Sequence, residues 1–139
     1  MTDHVDAIVT RPVIAGVEPQ LFVADIGRSC AFFTGKLGFS IVFTYGEPPY
    51  YAQVKRDAAR LNLRCVDRPA IDSAFRDREE LLSASLTVAT AEEIRQLSRE
   101  FQKSGVDFAQ PLDRKPWGAL DFIIRDLDGN LLLFAGPAD

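Results

Sequence analysis

The chain has 139 residues, of which 47% are hydrophobic and 26% charged, with a net charge of −4. That length suits one domain, or two small half-domains that share a core. The balance excludes a disordered chain and a basic nucleic-acid-binding surface. No apolar run approaches the ~20 residues that cross a bilayer. The opening Met1-Thr2-Asp3-His4-Val5-Asp6 lacks the basic start and apolar centre of a secretory signal, so a cytoplasmic location is expected. Cys30 and Cys65 have no CxxC neighbour and read as two apolar thiols rather than a disulfide.

Residues 1–16 read as an extended arm, because Pro12 prevents a regular helix and Gly16 precedes the first strong element. Its Ile8, Val9, Val13 and Ile14 need cover, from this domain or from a second subunit. Residues 17–24 alternate and predict a strand. Asp25 offers a helix N-cap, and Ile26, Cys30, Phe33 and Leu37 follow as one apolar stripe. Gly38 ends that helix. Phe39 to Tyr45, Tyr50 to Lys55 and Arg60 to Val66 predict three strands, the first two separated by the turn Gly46-Glu47-Pro48-Pro49.

Residues 67–81 read as a polar connection. Within it, Arg76-Asp77-Arg78-Glu79-Glu80 is a mixed-charge stretch that reads as a solvated loop or a helix start. The order of elements then repeats. Leu82 to Ala89 predicts a strand, and Thr90 with Glu93 forms a capping box. Ile94, Leu97 and Phe101 line that helix, and Gly105 stops it. Val106 to Gln110, Ala119 to Arg125 and Leu131 to Ala135 predict the last three strands. Asp126-Leu127-Asp128-Gly129-Asn130 reads as a hairpin turn in which Gly129 and Asn130 tolerate positive φ.

The chain therefore predicts an α+β fold written twice: strand, helix and three strands in residues 17–66, a connection at 67–81, and the same set in 82–139. Two such curved sheets side by side enclose a cup lined from both halves, a shape that ligand sites favour.

Several stretches carry a family likeness. They are Pro19-Gln20-Leu21-Phe22-Val23-Ala24-Asp25-Ile26, Phe32-Phe33 with Leu37-Gly38-Phe39, and Lys115-Pro116-Trp117-Gly118 followed by Asp126-Leu127-Asp128-Gly129-Asn130. In this order they resemble the vicinal oxygen chelate superfamily of glyoxalases, extradiol dioxygenases, thiol transferases and bleomycin-resistance proteins. The Pro-Trp-Gly ending resembles the bleomycin-resistance branch most closely, although Leu127 stands where that branch has proline. The resemblance implies two βαβββ modules around a cup and a homodimer.

The resemblance also implies a divalent metal in the enzymes of the family, held by His, Glu or Gln from both halves. Here the first ligand position falls near Glu18, the second-half position near Ser83, and the last on Leu133. The one histidine, His4, lies in the arm. Leu133 cannot bind a metal, Ser83 is a poor ligand, and Glu18 alone is a weak candidate. The expectation is no cofactor, no metal and no catalytic residue. The open alternative is a metal-dependent glyoxalase-like lyase or dioxygenase with an atypical ligand set.

Strand alternation places Gln20, Phe22, Asn62, Arg64, Ser85, Thr87 and Asp121 on the cup wall. Tyr50 and Tyr51 are adjacent, so on a strand only one of them faces the cup. Trp117 either closes a rim or plugs a core gap. Aromatic rims hold flat or cationic ligands by stacking and cation–π contact, worth ~0.5–2 kcal/mol each. The reading is a metal-free binding protein for a small molecule. A cationic glycopeptide antibiotic is the ligand that the resemblance suggests, with no nucleic acid or membrane partner. A module with a self-filled cup, acting through oligomer contacts, remains the third reading.

Overall fold

The computed structural model describes residues 11–139, so the first part of the arm, with His4, Ile8 and Val9, lies outside the described residues. Residues 11–19 form neither helix nor strand, and Val13 and Ile14 are exposed. The elements that follow are β1 (Gln20–Val23), α1 (Ile26–Leu37), β2 (Ser40–Tyr45), β3 (Tyr51–Arg56), β4 (Ala59–Cys65) and α2 (Ser73–Glu79). The second half contributes β5 (Leu82–Thr87), α3 (Ala91–Lys103), β6 (Asp107–Lys115), β7 (Ala119–Arg125) and β8 (Leu131–Pro137). They build two four-stranded sheets, ordered β1-β4-β3-β2 and β5-β8-β7-β6. In each, the first strand runs parallel to the last and the other pairings are antiparallel. The doubled α+β module predicted from the sequence is the observed fold.

Local chemistry sets the element ends. The Asp25 carboxylate accepts from Arg28 N–H at 2.8 Å and starts α1. Gly38 at φ 73° ends it. Thr90 and Glu93 make the capping box of α3: the hydroxyl accepts from Glu93 N–H at 3.1 Å and donates to the Glu93 carboxylate at 2.9 Å.

One face of each sheet is apolar and packs on its own helix. Leu21, Val23, Ala52, Val54, Leu61 and Leu63 are buried with Ile26, Cys30, Phe33 and Leu37 of α1. Ala84, Phe122, Ile124, Leu132 and Phe134 are buried with Ile94 and Phe101 of α3. Phe122 stacks on Phe134 at 5.3 Å, and Phe101 meets Phe134 edge-on at 5.2 Å. Each such fully buried ring contributes ~1.5–3 kcal/mol. Cys30 is buried and Cys65 half-buried, and neither forms a disulfide.

The structure departs from the sequence reading in four places. The connection contains α2, capped by Asp72, whose carboxylate accepts from Ala74 N–H at 2.9 Å. Arg76 on α2 is 5% exposed, so the charged stretch around it is not uniformly solvated. β6 runs to Lys115 instead of stopping at Gln110. It is an edge strand with two register shifts, so Pro111 and its missing N–H are tolerated there. Finally, Gly129 has φ 78°, but Asn130 is not left-handed; among described non-glycine residues only Asp57 and Glu80 are. Asn130 serves the fold through its side chain.

That side chain helps join the two modules. Asn130 Nδ2 donates to the Phe22 carbonyl at 3.0 Å, and Asp128 Oδ1 accepts from Ala24 N–H at 2.8 Å. Elsewhere on the seam Arg56 Nη1 lies 2.6 Å from Glu100 Oε2, and Lys36 Nζ donates to the Ser104 carbonyl at 2.7 Å.

Candidate functional site

The helix-free face of the first sheet is polar at its centre and aromatic at one side. Cross-strand partners share a face. Gln20 opposes Asn62, Phe22 opposes Arg64, and on the other flank of β4 Gln53 opposes Asn62 and Tyr51 opposes Arg64. Phe43 and Tyr45 of β2 continue the same rows opposite Gln53 and Tyr51.

Gln53 organises the polar centre. Its Nε2 donates to Glu18 Oε1 at 3.0 Å and to Asn62 Oδ1 at 2.9 Å, while its Oε1 accepts from Arg60 Nη1 at 2.9 Å. Both ends of this buried amide are satisfied, which fixes its orientation. Beside it lies the aromatic cluster. Phe43 and Tyr51 have ring centroids 6.1 Å apart, and Tyr45 meets Tyr50 edge-on at 5.7 Å. The Arg64 guanidinium carbon lies 5.8 Å from the Tyr50 ring centre. Tyr50 precedes β3, so strand alternation does not govern it. Both tyrosines therefore join the cluster, contrary to the expectation that only one would.

Gln20 and Phe22 extend this face into a cleft of about 330 Å³ at the seam between the modules. Its other walls come from residues 66–71, from Leu81, Leu82 and Ser83, from Arg76 of α2, and from Asp128 and Asn130. Arg76 Nη1 donates to Asn130 Oδ1 at 3.2 Å and Nη2 to the Asp128 carbonyl at 3.0 Å. Asn130 also accepts from Ser83 Oγ at 3.3 Å and donates to Asp126 Oδ2 at 2.8 Å. Burial pushes the Asp126 carboxyl above its ordinary value, against the opposing pull of its hydrogen bonds from Asn130 and Asp128.

The remaining expected site residues lie apart. Ser85 and Thr87 border a different cleft of about 270 Å³, with Val17, Pro19 and the β3–β4 turn. Trp117 is 74% exposed on the β6–β7 hairpin, so it plugs no core gap. Asp121 is 3% exposed, and its carboxylate accepts from Gln110 Nε2 at 2.8 Å with Lys115 Nζ at 3.9 Å. Sequence reasoning missed Gln53, Arg60 and Arg76. For Arg76, the Asp72-Ser73 cap and the flanking Phe75 and Leu81 were available signals of a short packed helix.

The family's metal positions do not supply a ligand set. Glu18 Oε1 is engaged by Gln53, Ser83 Oγ donates to Asn130, and Leu133, opposite Ser85 and Ile123, carries no donor. No group of three or more His, Cys, Asp or Glu able to hold a metal occurs among the described residues. A divalent ion needs several converging donors, and these side chains do not provide them.

The family model described as "Glyoxalase/Bleomycin resistance protein/Dioxygenase superfamily" matches residues 4–134. The chain belongs to this superfamily. Its fold is similar to that of a glyoxalase/bleomycin resistance protein/dioxygenase from Alicyclobacillus acidocaldarius, with a TM-score of 0.72 at 19% identity, covering 88% of this chain and 91% of that one. It is similar to a lactoylglutathione lyase from Agrobacterium tumefaciens, with a TM-score of 0.68 at 18% identity over 91% and 96% of the two chains. It is also similar to a bleomycin resistance determinant encoded on the transposon Tn5, with a TM-score of 0.68 at 18% identity over 89% and 98%. No curated protein sequence matches the chain. One of these structures is named a lyase and another a resistance determinant, so the likenesses speak to fold and leave function to the site. Among the described residues no helix is long and apolar enough to cross a membrane.

Proposed function

We propose that this superfamily member binds and sequesters a small organic molecule, an antibiotic being the favoured class, without a catalytic metal. The observation that carries the reading is the open aromatic and polar face around Tyr50, Tyr51, Arg64 and Asn62, which runs into a cleft through Gln20 and Phe22. Ser83 and Leu133 at the metal positions support the metal-free part. Likeness to the Tn5 bleomycin resistance determinant supports the antibiotic part. Sequestration needs affinity only, with no bond made or broken.

Charge on the face narrows the ligand. Lys55, Arg60 and Arg64 alternate with Tyr51, Gln53 and Asn62 along β3 and β4, against Glu18. A strongly cationic glycopeptide meets like charge there, so stacking on the aromatic cluster favours an uncharged or acidic drug. Titration with bleomycin and with uncharged aromatic antibiotics, followed by calorimetry, tests this. Saturable heat with an uncharged aromatic drug is expected, and no response across the panel overturns the reading. Stoichiometric retention of Ni, Zn, Mn or Fe after loading would overturn its metal-free part.

A homodimer completes the proposal. Ile41 and Val42 of the edge strand β2 are exposed beside the aromatic cluster, an apolar edge that a second copy would cover. A monomeric mass at micromolar concentration would remove this part.

A further inference from the structure

We propose that the cleft at the seam takes the carboxylate of a small amphiphilic organic acid on Arg76; this deepens the binding reading above and rests on it. Arg76 is 5% exposed, yet no carboxylate lies within ion-pair distance of it among the described residues. A guanidinium carries five N–H donors. Two are used, by the Asn130 amide oxygen and the Asp128 carbonyl, and Nε has no partner. A buried cation with only neutral acceptors is costly, and an arriving carboxylate offsets that cost with charge-assisted hydrogen bonds.

The rest of the cleft fits such a ligand. Its volume of about 330 Å³ lies at the small end of the range for small-molecule sites. Phe22, Ile71, Leu81 and Leu82 offer apolar wall for the body of the acid, and Arg68 adds a second cation at the exposed side. Two carboxylates also border the cleft. Asp128 is held by the Ala24 N–H at 2.8 Å, and Asp67 is exposed, so neither neutralises Arg76.

The probes are 4-phenylbutyrate and its neutral primary amide, titrated into the full chain and followed by protein NMR. The acid is expected to bind saturably, at least ~10-fold tighter than the amide, with the largest shifts at the backbone amides of Leu82, Ser83 and Asn130. Arg76→Gln is expected to bring the affinity for the acid down to that for the amide, with Arg76→Lys in between. Equal affinity for acid and amide overturns the anion site while leaving small-molecule binding intact. So does undiminished affinity for the acid in folded Arg76→Gln. No binding of either probe at millimolar concentration overturns the cleft as a site, and the drug panel then judges the binding reading separately. If Arg76→Gln fails to fold, the acid–amide contrast and the shift map in the unaltered chain still decide.

Discussion

The side-chain amide of Asn130 donates to the carbonyl of Phe22 at 3.0 Å, joining positions 108 residues apart. The same amide donates to Asp126 Oδ2 at 2.8 Å, and its oxygen accepts from Arg76 at 3.2 Å. One neutral group therefore stands between a buried carboxylate and a buried guanidinium while closing the seam between modules. Asn130→Ala leaves Phe22, Asp126, Arg76 and also Ser83, whose hydroxyl donates to the amide oxygen at 3.3 Å, each short of a hydrogen bond. A loss of ~3 kcal/mol is expected, from the ~1–3 kcal/mol that each orphaned buried group costs. Urea unfolding of the two proteins measures it, and a change below ~1 kcal/mol would show that water replaces the amide.

Asn130 also marks the limit of what the sequence discloses. The turn Asp126–Asn130 was legible because glycine and asparagine punctuate hairpins, and the doubled module was legible because each helix carries caps and an apolar stripe. The long-range work of Asn130 was not, since nothing local says that a turn residue will meet β1. The face of the first sheet followed from alternation, which placed Gln20, Phe22, Asn62 and Arg64 together. Arg76 escaped because a charged run reads as solvated until the element that covers it is known. Strand period assigned Asp121 to the cup wall, but period cannot foresee that Gln110 and Lys115 would cover it.

Two glycines of the first helix region are expected to respond oppositely to alanine. Gly38 has φ 73°, and an added Cβ would lie 2.9 Å from Arg56 Nη1, which bridges to Glu100 across the seam. Gly38→Ala is expected to cost ~1–2 kcal/mol through left-handed strain, with any weakening of that partly exposed ion pair adding little. Gly35 lies inside α1 with nothing within 4 Å of an added Cβ. Gly35→Ala is expected to stabilise by ~0.5–1 kcal/mol. Thermal unfolding of both variants checks the pair, and equal signs would refute the argument.

The hydrogen bond from Arg95 Nη2, 2.6 Å from Asp139 Oδ1, holds that carboxyl at about 2 against an ordinary 3.8. Its contribution is therefore present above 3.8 and lost as pH falls through about 2. Asp139 is exposed and Arg95 half-buried, so salt screens the pair and the effect on stability is small. A carbon-detected NMR titration should place the Asp139 midpoint well below that of ordinary aspartates, and Arg95→Gln should raise it. An unmoved midpoint in the variant would mean that Arg114, which also reaches Asp139 Oδ1 at 3.3 Å, is the controlling cation.

Asp126 titrates in the opposite sense. It is 7% exposed, and burial raises its pKa above 3.8 although Asn130 and Asp128 donate hydrogen bonds to it. In the window above 3.8 the folded chain therefore holds a proton that the unfolded chain has released. Linkage then gives a stabilising contribution that is full below 3.8 and declines as pH rises through the folded pKa. Asp126→Asn cannot titrate, so it has no such slope. The unfolding free energy of the wild type minus that of the variant, measured from about pH 3 to pH 7, is expected to fall with rising pH and then level off. A difference that instead grows with pH would mean that the donated hydrogen bonds outweigh burial, and that the carboxylate is the form the seam between the modules was built to hold.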